Sequence, residues 1–437
     1  MLSPADNELL VRVGADAPMG RLMRLYWIPF LRSRDVPVDG QPYRVRLLGE
    51  ELVAFRDSDG RVGLVSEECP HRGAPMVFGR NEQGGLRCLY HGWKFAVDGS
   101  CLEMPAEPPN TPMLSRLKIL SYPVRERHGV LWTYMGPDQE PPPLPDLEWN
   151  LVPEERVHVS MRVQECNWLQ ALEGELDSAH AAILHGRVDA EGSINQWKQA
   201  ADLAPTFEVS PHDAGVCIAS RRRLDDEHQY IRVNQFLMPF WSLVPPFNDF
   251  PSLSGHAWVP IDDHNTLCIM FTYHPAQPLN DKSRKLFEMG HRGRETGHAT
   301  EINFEPRPVT WPYPTYWSRF NRENAYGYDP EIARTYNAGM PGLWLQDAAC
   351  QSGVSAIYDR SHEHLGTSDT GIVRTRRMLL DAVKKLTRED QRPPSVGATD
   401  QFLWRAISIT VPTDGDWMQS GREFMRAEPG KDFGYQP

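Results

Sequence analysis

The chain has 437 residues, more than one ordinary domain holds, so two domains of unequal size are expected. Its 40% hydrophobic content, with 13 Trp, 14 Tyr and 16 Phe, can fill a sizeable core, and 24% charged residues is the level of ordinary globular proteins. The formal net charge is −12 and no Lys/Arg run exceeds Arg221-Arg222-Arg223, which excludes a phosphate-backbone binder and leaves nucleic acid out as a partner.

In chain order, the predicted elements begin with a helix near the N-terminus. Residues 41–135 then read as short β-strands, with strand-like runs at 43–48, 52–55 and 130–134. Asp57-Ser58-Asp59-Gly60 and Asp98-Gly99 supply turns between strands, so this region is expected to be a small all-β domain. Residues 136–147 carry Pro137, Pro141, Pro142, Pro143 and Pro145, a stiff extended connector, and the domain boundary is placed between 145 and 146. Beyond it a helix is predicted over 166–184, strands over 215–220, 230–237, 256–259 and 266–273, and a late helix over 369–386 with apolar Ile372, Met378, Leu379, Ala382 and Val383. Strands between two substantial helices make residues 146–437 an α+β domain.

Met1 to Asp6 show neither the basic nor the apolar region of a signal peptide. The most apolar later stretch, 236–250, is broken by Pro239, Pro245, Pro246 and Asp249 and cannot span a bilayer as a helix, so no membrane association is expected. The 7 cysteines are odd in number and scattered, which argues against a disulfide framework and for a reducing cytoplasm.

Two of those cysteines have metal-ligand spacing. Cys69-Pro70-His71 is followed by Cys88-Leu89-Tyr90-His91, each pair on a loop between predicted strands. A structural Cys2His2 zinc site is one reading, but zinc fingers usually pair Cys with Cys and His with His. One of each per loop suits a binuclear cluster in which Cys69 and Cys88 hold one iron and His71 and His91 the other. Imidazole ligation of one iron defines a Rieske [2Fe–2S] centre and raises its potential. Gly73 and Gly92 let backbone approach the cluster, and Pro70 and Pro75 stiffen the first loop.

A second constellation, Asp177-x-x-His180-x4-His185, is weak alone, because helical histidines are usually surface or core residues. An ideal α-helix turns about 100° per residue and places positions five apart roughly 140° from each other. Convergence of His180 and His185 on one metal therefore requires a distorted helix or a helix end near 182–184, which Gly186 favours. A one-electron cluster needs an acceptor, and iron(II) held by two His and one carboxylate, with positions open for O2, is the commonest oxygen-activating one.

Cys69-Pro70-His71-Arg72-Gly73 with Tyr90-His91-Gly92-Trp93-Lys94 resembles the Rieske domain of ring-hydroxylating oxygenases. Respiratory-type Rieske proteins place a further Cys three residues after the first His, where this chain has Ala74. The stretch N-W-x-Q-x-x-E-G-x-x-D-x-x-H-x4-H-G from Asn167 to Gly186 is similar to the mononuclear-iron motif of the phthalate-dioxygenase-like branch. The resemblance runs over nearly the whole chain and is weakest in the last fifty or so residues.

The resemblance implies a Rieske domain followed by a helix-grip-like catalytic domain with a C-terminal extension. It implies His180 and His185 as iron ligands and Asp177 as a carboxylate bridging the two metal sites, hydrogen-bonded to a Rieske His, His91, of a neighbouring copy. For the third ligand it points to Asp347; Asp359 is the rival, but its neighbour Arg360 and its turn-like surroundings favour an ion pair there. His362 and His364, beside Glu363, read as solvated or capping residues. It further implies a homotrimer or a multiple of three, O2 as co-substrate, and electrons from an NAD(P)H-dependent flavin/iron–sulfur reductase, directly or through a ferredoxin.

The expected activity is hydroxylation of an aromatic compound, by dioxygenation or monooxygenation, with an aromatic carboxylate as the substrate guess and aromatic catabolism as the setting. Oxidative O- or N-demethylation is the alternative on the same scaffold, and a non-catalytic Rieske electron carrier is the reading from a different class. Residues 230–236 alternate, placing Tyr230, Arg232, Asn234 and Phe236 on one face, where Arg232 is the candidate partner of a carboxylate, with Asn234 and Ser178 beside it. Arg221, Arg222 and Arg223 are further candidates, with Asp225 and Asp226 able to pair with them.

Overall fold

The computed structural model describes residues 2–109, 111–186, 202–246, 252–281, 284–285, 304–335, 338–340 and 342–431. The alternating runs of the first third form eleven short strands: β1 (Trp27–Arg32), β2 (Tyr43–Leu47), β3 (Glu50–Arg56), β4 (Val62–Ser66), β5 (Arg80–Glu82), β6 (Gly85–Arg87), β7 (Lys94–Phe95), β8 (Cys101–Glu103), β9 (Ser121–Tyr122), β10 (Val124–Arg127) and β11 (Val130–Tyr134). Strands β2-β3-β4-β9 and β5-β6-β7-β8 make two four-stranded sheets, and β1-β11-β10 a three-stranded one. In β2 the pleat sends Tyr43, Val45 and Leu47 inward, while Arg44 and Arg46 turn out to meet Glu51. Val53, Phe55, Val65, Met76, Leu86 and Phe95 enclose a small separate core that contains Cys69 and Cys88.

The larger unit is built on one antiparallel sheet of eight strands. They are β12 (Val157–Gln164), β13 (Thr206–His212), β14 (Gly215–Arg223), β15 (His228–Leu237), β16 (Trp241–Val244), β17 (Leu253–Pro260), β18 (Thr266–Tyr273) and β19 (Ile407–Pro412). The order is β12-β18-β17-β16-β15-β14-β13, with β19 pairing the first half of β15 beside β16. The stretch expected not to span a membrane contributes the end of β15 and all of β16; residues 247–250 lie outside the described ones. No helix among the described residues is long and apolar enough to cross a membrane.

The α-helices that accompany the sheets include α1 (Pro4–Val11), α2 (Pro18–Arg24), α3 (Trp168–Leu176), α4 (Ala181–Leu184), α5 (Leu343–Ser352), α6 (Thr370–Glu389) and α7 (Trp417–Met425). The helix expected over 166–184 is two helices. Asp177 leaves the helical region (φ −75°, ψ 117°), and its carboxylate accepts from the Ala179 and His180 amides at 2.7 and 3.3 Å. A side chain that caps the next turn competes with helix continuation, and here it wins.

Although α1 and α2 precede the small unit in sequence, they pack against the large one. Trp168 Nε1 donates to the Leu10 carbonyl at 3.2 Å, and Lys384 of α6 pairs with Asp6 at 2.7 Å. The proline connector lies between the units, with its Pro142 carbonyl accepting from Trp27 Nε1 at 2.6 Å. Stacked Trp132, Trp149, Trp241 and Phe271 carry one continuous core across the junction.

Candidate metal centres

The two Cys/His loops are near copies of each other. The Cys69 amide donates to the Ala74 carbonyl at 3.0 Å and the Gly73 amide to the Cys69 carbonyl at 2.9 Å; in the second loop Cys88 donates to Trp93 at 2.8 Å and Gly92 to Cys88 at 3.1 Å. Each loop closes through a glycine with positive φ, 69° at Gly73 and 76° at Gly92, a region that L side chains avoid. The fold thereby brings Cys69, His71, Cys88 and His91 to one tip.

Cys69 and Cys88 are each 2% exposed, and the imidazoles of His71 and His91 lie with centroids 4.4 Å apart. Trp93 stacks on His71 at 4.2 Å and fixes the ring plane. The donors pair rather than converge: among the described residues, no three of these four place donor atoms within 4.8 Å of one another. That spacing disfavours a single zinc ion and fits a binuclear cluster held by a thiolate pair and an imidazole pair. Two further observations fit such a group: His71 Nδ1 is buried without a hydrogen-bond partner, and burial pushes the Cys69 thiol up to about 11, with Cys88 adding to the rise. Thiols so placed ionise when a metal takes the place of their protons. All seven cysteines are free.

The second site joins the α3–α4 junction to α5. His180 and His185 stand at the two ends of α4, and their Nε2 atoms lie 3.4 and 3.3 Å from one oxygen of Asp347. Helical geometry stops at Leu184, and this end lets the two rings meet edge to face with centroids 5.2 Å apart. Among the described residues these three form the group of His, Cys, Asp or Glu side chains close enough to hold one metal ion.

Each imidazole is oriented from behind. Gln346 donates its amide to the Met340 carbonyl at 3.0 Å, which leaves Oε1 to accept from His185 Nδ1 at 2.8 Å. Nε2 is then the nitrogen of His185 that faces Asp347 and is placed to bind a metal. Asp177 accepts from His180 Nδ1 at 3.2 Å with the same consequence. Burial opposes charge on His180, but Asp177 and Asp347 outweigh it and raise its pKa to about 10. Burial likewise opposes charge on Asp347, yet the two imidazoles hold it well below the usual carboxylate range. A set that gathers this much positive charge when empty fits a divalent cation in place of protons.

The remaining residues of the long motif hold the junction in place. Asn167 caps α3 at the Leu169 amide and ties it to the Val11 and Asp263 carbonyls. Gln170 donates to the Gln351 carbonyl at 2.6 Å and accepts from the Tyr358 amide at 2.6 Å. A Cβ at Gly174 would lie 2.0 Å from the Gln351 side chain, so this glycine lets α3 approach α5. Glu173 receives Arg360 at 3.0 Å and Arg376 at 2.6 Å, and Arg376 also pairs with Glu363.

Asp359, the rival third ligand, is away from the site. Its expected pairing with Arg360 is not observed: Asp359 caps the Ser361 amide at 2.9 Å and faces the exposed His362, while Arg360 turns inward to Glu173. The alternating face of β15 is buried, with Arg232 4% and Asn234 3% exposed, and Asn234 donates to the Glu175 carbonyl. Ser178 Oγ is engaged by Ser220 at 2.9 Å and by Arg222 at 3.3 Å. Of the arginine triplet, Arg223 pairs with Asp226 as expected and Arg221 with Glu208, while Arg222 points inside. Sequence reasoning passed over Gln346 and Trp93 as supports, although both sit next to or near a ligand candidate. The strand period also marks Arg222 as facing opposite to its neighbours.

The family described as LigXa C-terminal domain like matches residues 133–434, and the Rieske [2Fe-2S] domain matches residues 26–123. The chain is 36% identical to the 3-chlorobenzoate-3,4-dioxygenase oxygenase subunit of Comamonas testosteroni, over 94% of this chain and 96% of that one. It is 38% identical to the phthalate 4,5-dioxygenase oxygenase subunit of Pseudomonas putida, over 95% and 94%. Among solved structures, the terminal oxygenase of carbazole 1,9a-dioxygenase from Nocardioides aromaticivorans superposes with a TM-score of 0.57 at 18% identity, covering 87% of this chain and 97% of that one, which supports the fold. The chain belongs to the oxygenase (alpha) subunits of the Rieske-type non-heme iron oxygenases. It is an oxidoreductase whose cofactors are a Rieske [2Fe–2S] cluster and a mononuclear iron, with O2 as co-substrate.

Proposed function

We propose that this chain is the terminal oxygenase of a system that hydroxylates an aromatic compound in aromatic catabolism in the cytoplasm, supplied by a separate NAD(P)H-dependent reductase, directly or through a ferredoxin. The observation that carries the reading is the convergence of His180, His185 and Asp347, with both imidazoles oriented from behind. An electron carrier has no use for a three-ligand site that leaves positions open.

In this reading Cys69, His71, Cys88 and His91 hold the cluster, and His180, His185 and Asp347 hold the mononuclear iron. When bound, the two groups supply one-electron transfer and O2 activation. Gln346 and Asp177 keep the two Nδ1 protons in place, so that both Nε2 atoms remain ligands. Asp177 also has an exposed edge, its side chain being 28% accessible, which suits a second acceptor role toward His91 of a neighbouring copy. At the cluster tip Leu89 and Tyr90 beside His91 are 57% and 54% exposed, which supports docking of this tip on another surface. Such a head-to-tail contact suits a closed ring, and the family resemblance sets its size at three copies or a multiple of three. The boundary between 145 and 146 is part of this reading, with α1 and α2 allied to the larger unit by packing.

Metal analysis and an isotope experiment test it together. With a surrogate reductase, NADH and 18O2, a panel of simple aromatics should yield a labelled product from protein holding about three irons per chain, two in the cluster and one beyond it. Two irons and no labelled product would make the chain a carrier.

A further inference from the structure

We propose that Gln164 is a positioning residue for the mononuclear site, an amide clamp that sets α5, and with it Asp347, against the two histidines. The proposal rests on the oxygenase reading above and deepens it by naming a residue that places the third ligand. Gln164 is the last residue of β12, opposite Thr266 of β18, and it stands three residues before the Asn167 that caps α3. It is 2% exposed and uses both ends of its amide. Oε1 accepts from Trp344 Nε1 at 3.0 Å, and Nε2 donates to Gln351 Oε1 at 2.6 Å.

Trp344 and Gln351 stand on α5 three residues before Asp347 and four after it. At about 100° per residue they lie within about 20° of each other around the helix axis, and Asp347 within about 60° of both. One amide therefore holds the helix at two points, about two turns apart, on the side that carries the ligand. The guanidinium of Arg162, also on β12, lies over the Trp344 ring at 4.8 Å. At the other end of the clamp the Gln351 carbonyl accepts from Gln170 of α3, so the strand and the helix that leads to His180 meet α5 at one residue. The strand end is itself fixed. The Val163 amide donates to the Tyr316 carbonyl at 2.9 Å, and Thr266 Oγ1 to the Cys166 carbonyl at 2.7 Å.

The N-cap of α5 is Gly342, which offers no side-chain hydrogen bond, so the start of this helix depends on other holds. An atom about 6 Å from a helix axis moves by about 1 Å when the helix turns by about 10°, whereas a ligand set has to be held within about 0.5 Å. His180 Nε2 and His185 Nε2 lie 3.4 and 3.3 Å from one Asp347 oxygen, so a small turn of α5 spoils both distances together. A purely structural role for Gln164, as the partner of two half-buried polar groups, accounts for stability. It does not account for the placement of both partners around the ligand on one side of the same helix.

Metal binding measured without turnover separates the two roles. Anaerobic protein with its cluster loaded is titrated with Co(II) against a competing chelator. The Fe(II)-loaded protein is exposed to nitric oxide, and electron paramagnetic resonance reads the geometry of the mononuclear site. Gln164→Leu should weaken Co(II) binding roughly 10–100-fold, the effect of losing a support behind a ligand, and change the nitrosyl spectrum while the cluster's visible spectrum stays the same. Trp344→Phe removes only the indole N–H and should weaken binding less. In the Gln164→Leu background it should add little, because the two residues act as one unit. Tyr273→Phe is the stability control. It loses a buried hydrogen bond to Glu148 at the other end of β18, and it should lower the unfolding midpoint with Co(II) affinity and nitrosyl spectrum unchanged. A Gln164→Leu protein with the unmutated chain's Co(II) affinity and nitrosyl spectrum would overturn the clamp, and so would an equal loss of affinity in Tyr273→Phe. If Gln164→Leu does not fold, Trp344→Phe decides, and its unchanged affinity and spectrum would overturn the clamp as well. Labelled product from an enzyme indifferent to Gln164→Leu would remove the clamp and leave the oxygenase reading standing. The expected loss of metal affinity without labelled product from the unmutated protein would do the reverse.

Discussion

The two proposed metal centres are assembled by opposite strategies. The cluster tip is made of two loops with the same hydrogen-bond pattern, each closed within six residues by its own glycine and backbone. The mononuclear site joins the α3–α4 junction to α5; the Gln346 that orients His185 is 161 residues away in sequence. It depends on Asn167, Gln170, Glu173 and Gly174 to seat one helix on another. A locally closed site needs little beyond its own turns, whereas a distributed one must close a long loop before any donor meets its partner. The first should tolerate distant damage, and the second should register it.

The sharpest break is at the donors. His180→Ala should abolish oxygenation and empty the mononuclear site while leaving the cluster's visible spectrum intact, whereas Cys69→Ala should remove that spectrum. Asp177→Asn adds a third outcome: both sites stay loaded, the cluster is reduced normally, and its reoxidation with substrate and O2 becomes very slow. Fast reoxidation in single-turnover mixing would restrict Asp177 to its own chain.

Next in size is Glu173→Gln, which leaves two buried guanidiniums without their shared carboxylate. Breaking a buried ion pair by removing one partner costs about 3–5 kcal/mol, so denaturant unfolding of the large unit should move to markedly lower concentration while the cluster's absorbance persists further into the transition. The pH dependence has a definite sign. Burial opposes ionisation of Glu173, but Arg360 and Arg376 hold it below the usual carboxylate range. Its contribution is therefore complete above the unfolded carboxyl's pKa, about 4.3, and is lost as pH falls through the lower folded value. The Gln variant should lack this acid-dependent loss.

The smallest effect is expected at Gln346→Leu. It removes the acceptor for His185 Nδ1 but no ligand, and loss of such a support weakens metal affinity by roughly 10–100-fold. Iron retention in a chelator series would measure it, and affinity equal to the unmutated protein would show that His185 needs no orienting partner.

What the sequence disclosed follows the same division. The strands 130–134 and 266–273 have the predicted limits, and the Cys/His loops declare their donors by spacing, because both depend on neighbouring residues. The break at Asp177 did not show in periodicity, since residues 166–184 read as continuous helix until the Asp177 carboxylate is seen to cap the turn that follows. Asp347 and Asp359 are both short-range plausible; only packing separates the one on α5 from the exposed turn. The roles of Glu173 and Gly174 were opaque for the same reason, because their partners Arg360, Arg376 and Gln351 are fixed by the tertiary fold.

The place of β19 in the sheet has a consequence for synthesis. Its residues 407–412 complete the pairing of the first half of β15, the half that carries Arg232. A ribosome adds about 5–20 residues per second, and folding during synthesis proceeds from the N-terminal side. The cluster loops can close soon after they emerge from the exit tunnel, while the strand bearing Arg232 waits with one edge half open for a segment made near the end of the chain. In the cell, the nascent protein therefore passes through a stage in which its iron–sulfur tip can be folded and its main sheet still offers an unpaired edge. That open edge is the point at which a chaperone would protect the growing chain and at which crowded synthesis would drive it to aggregate.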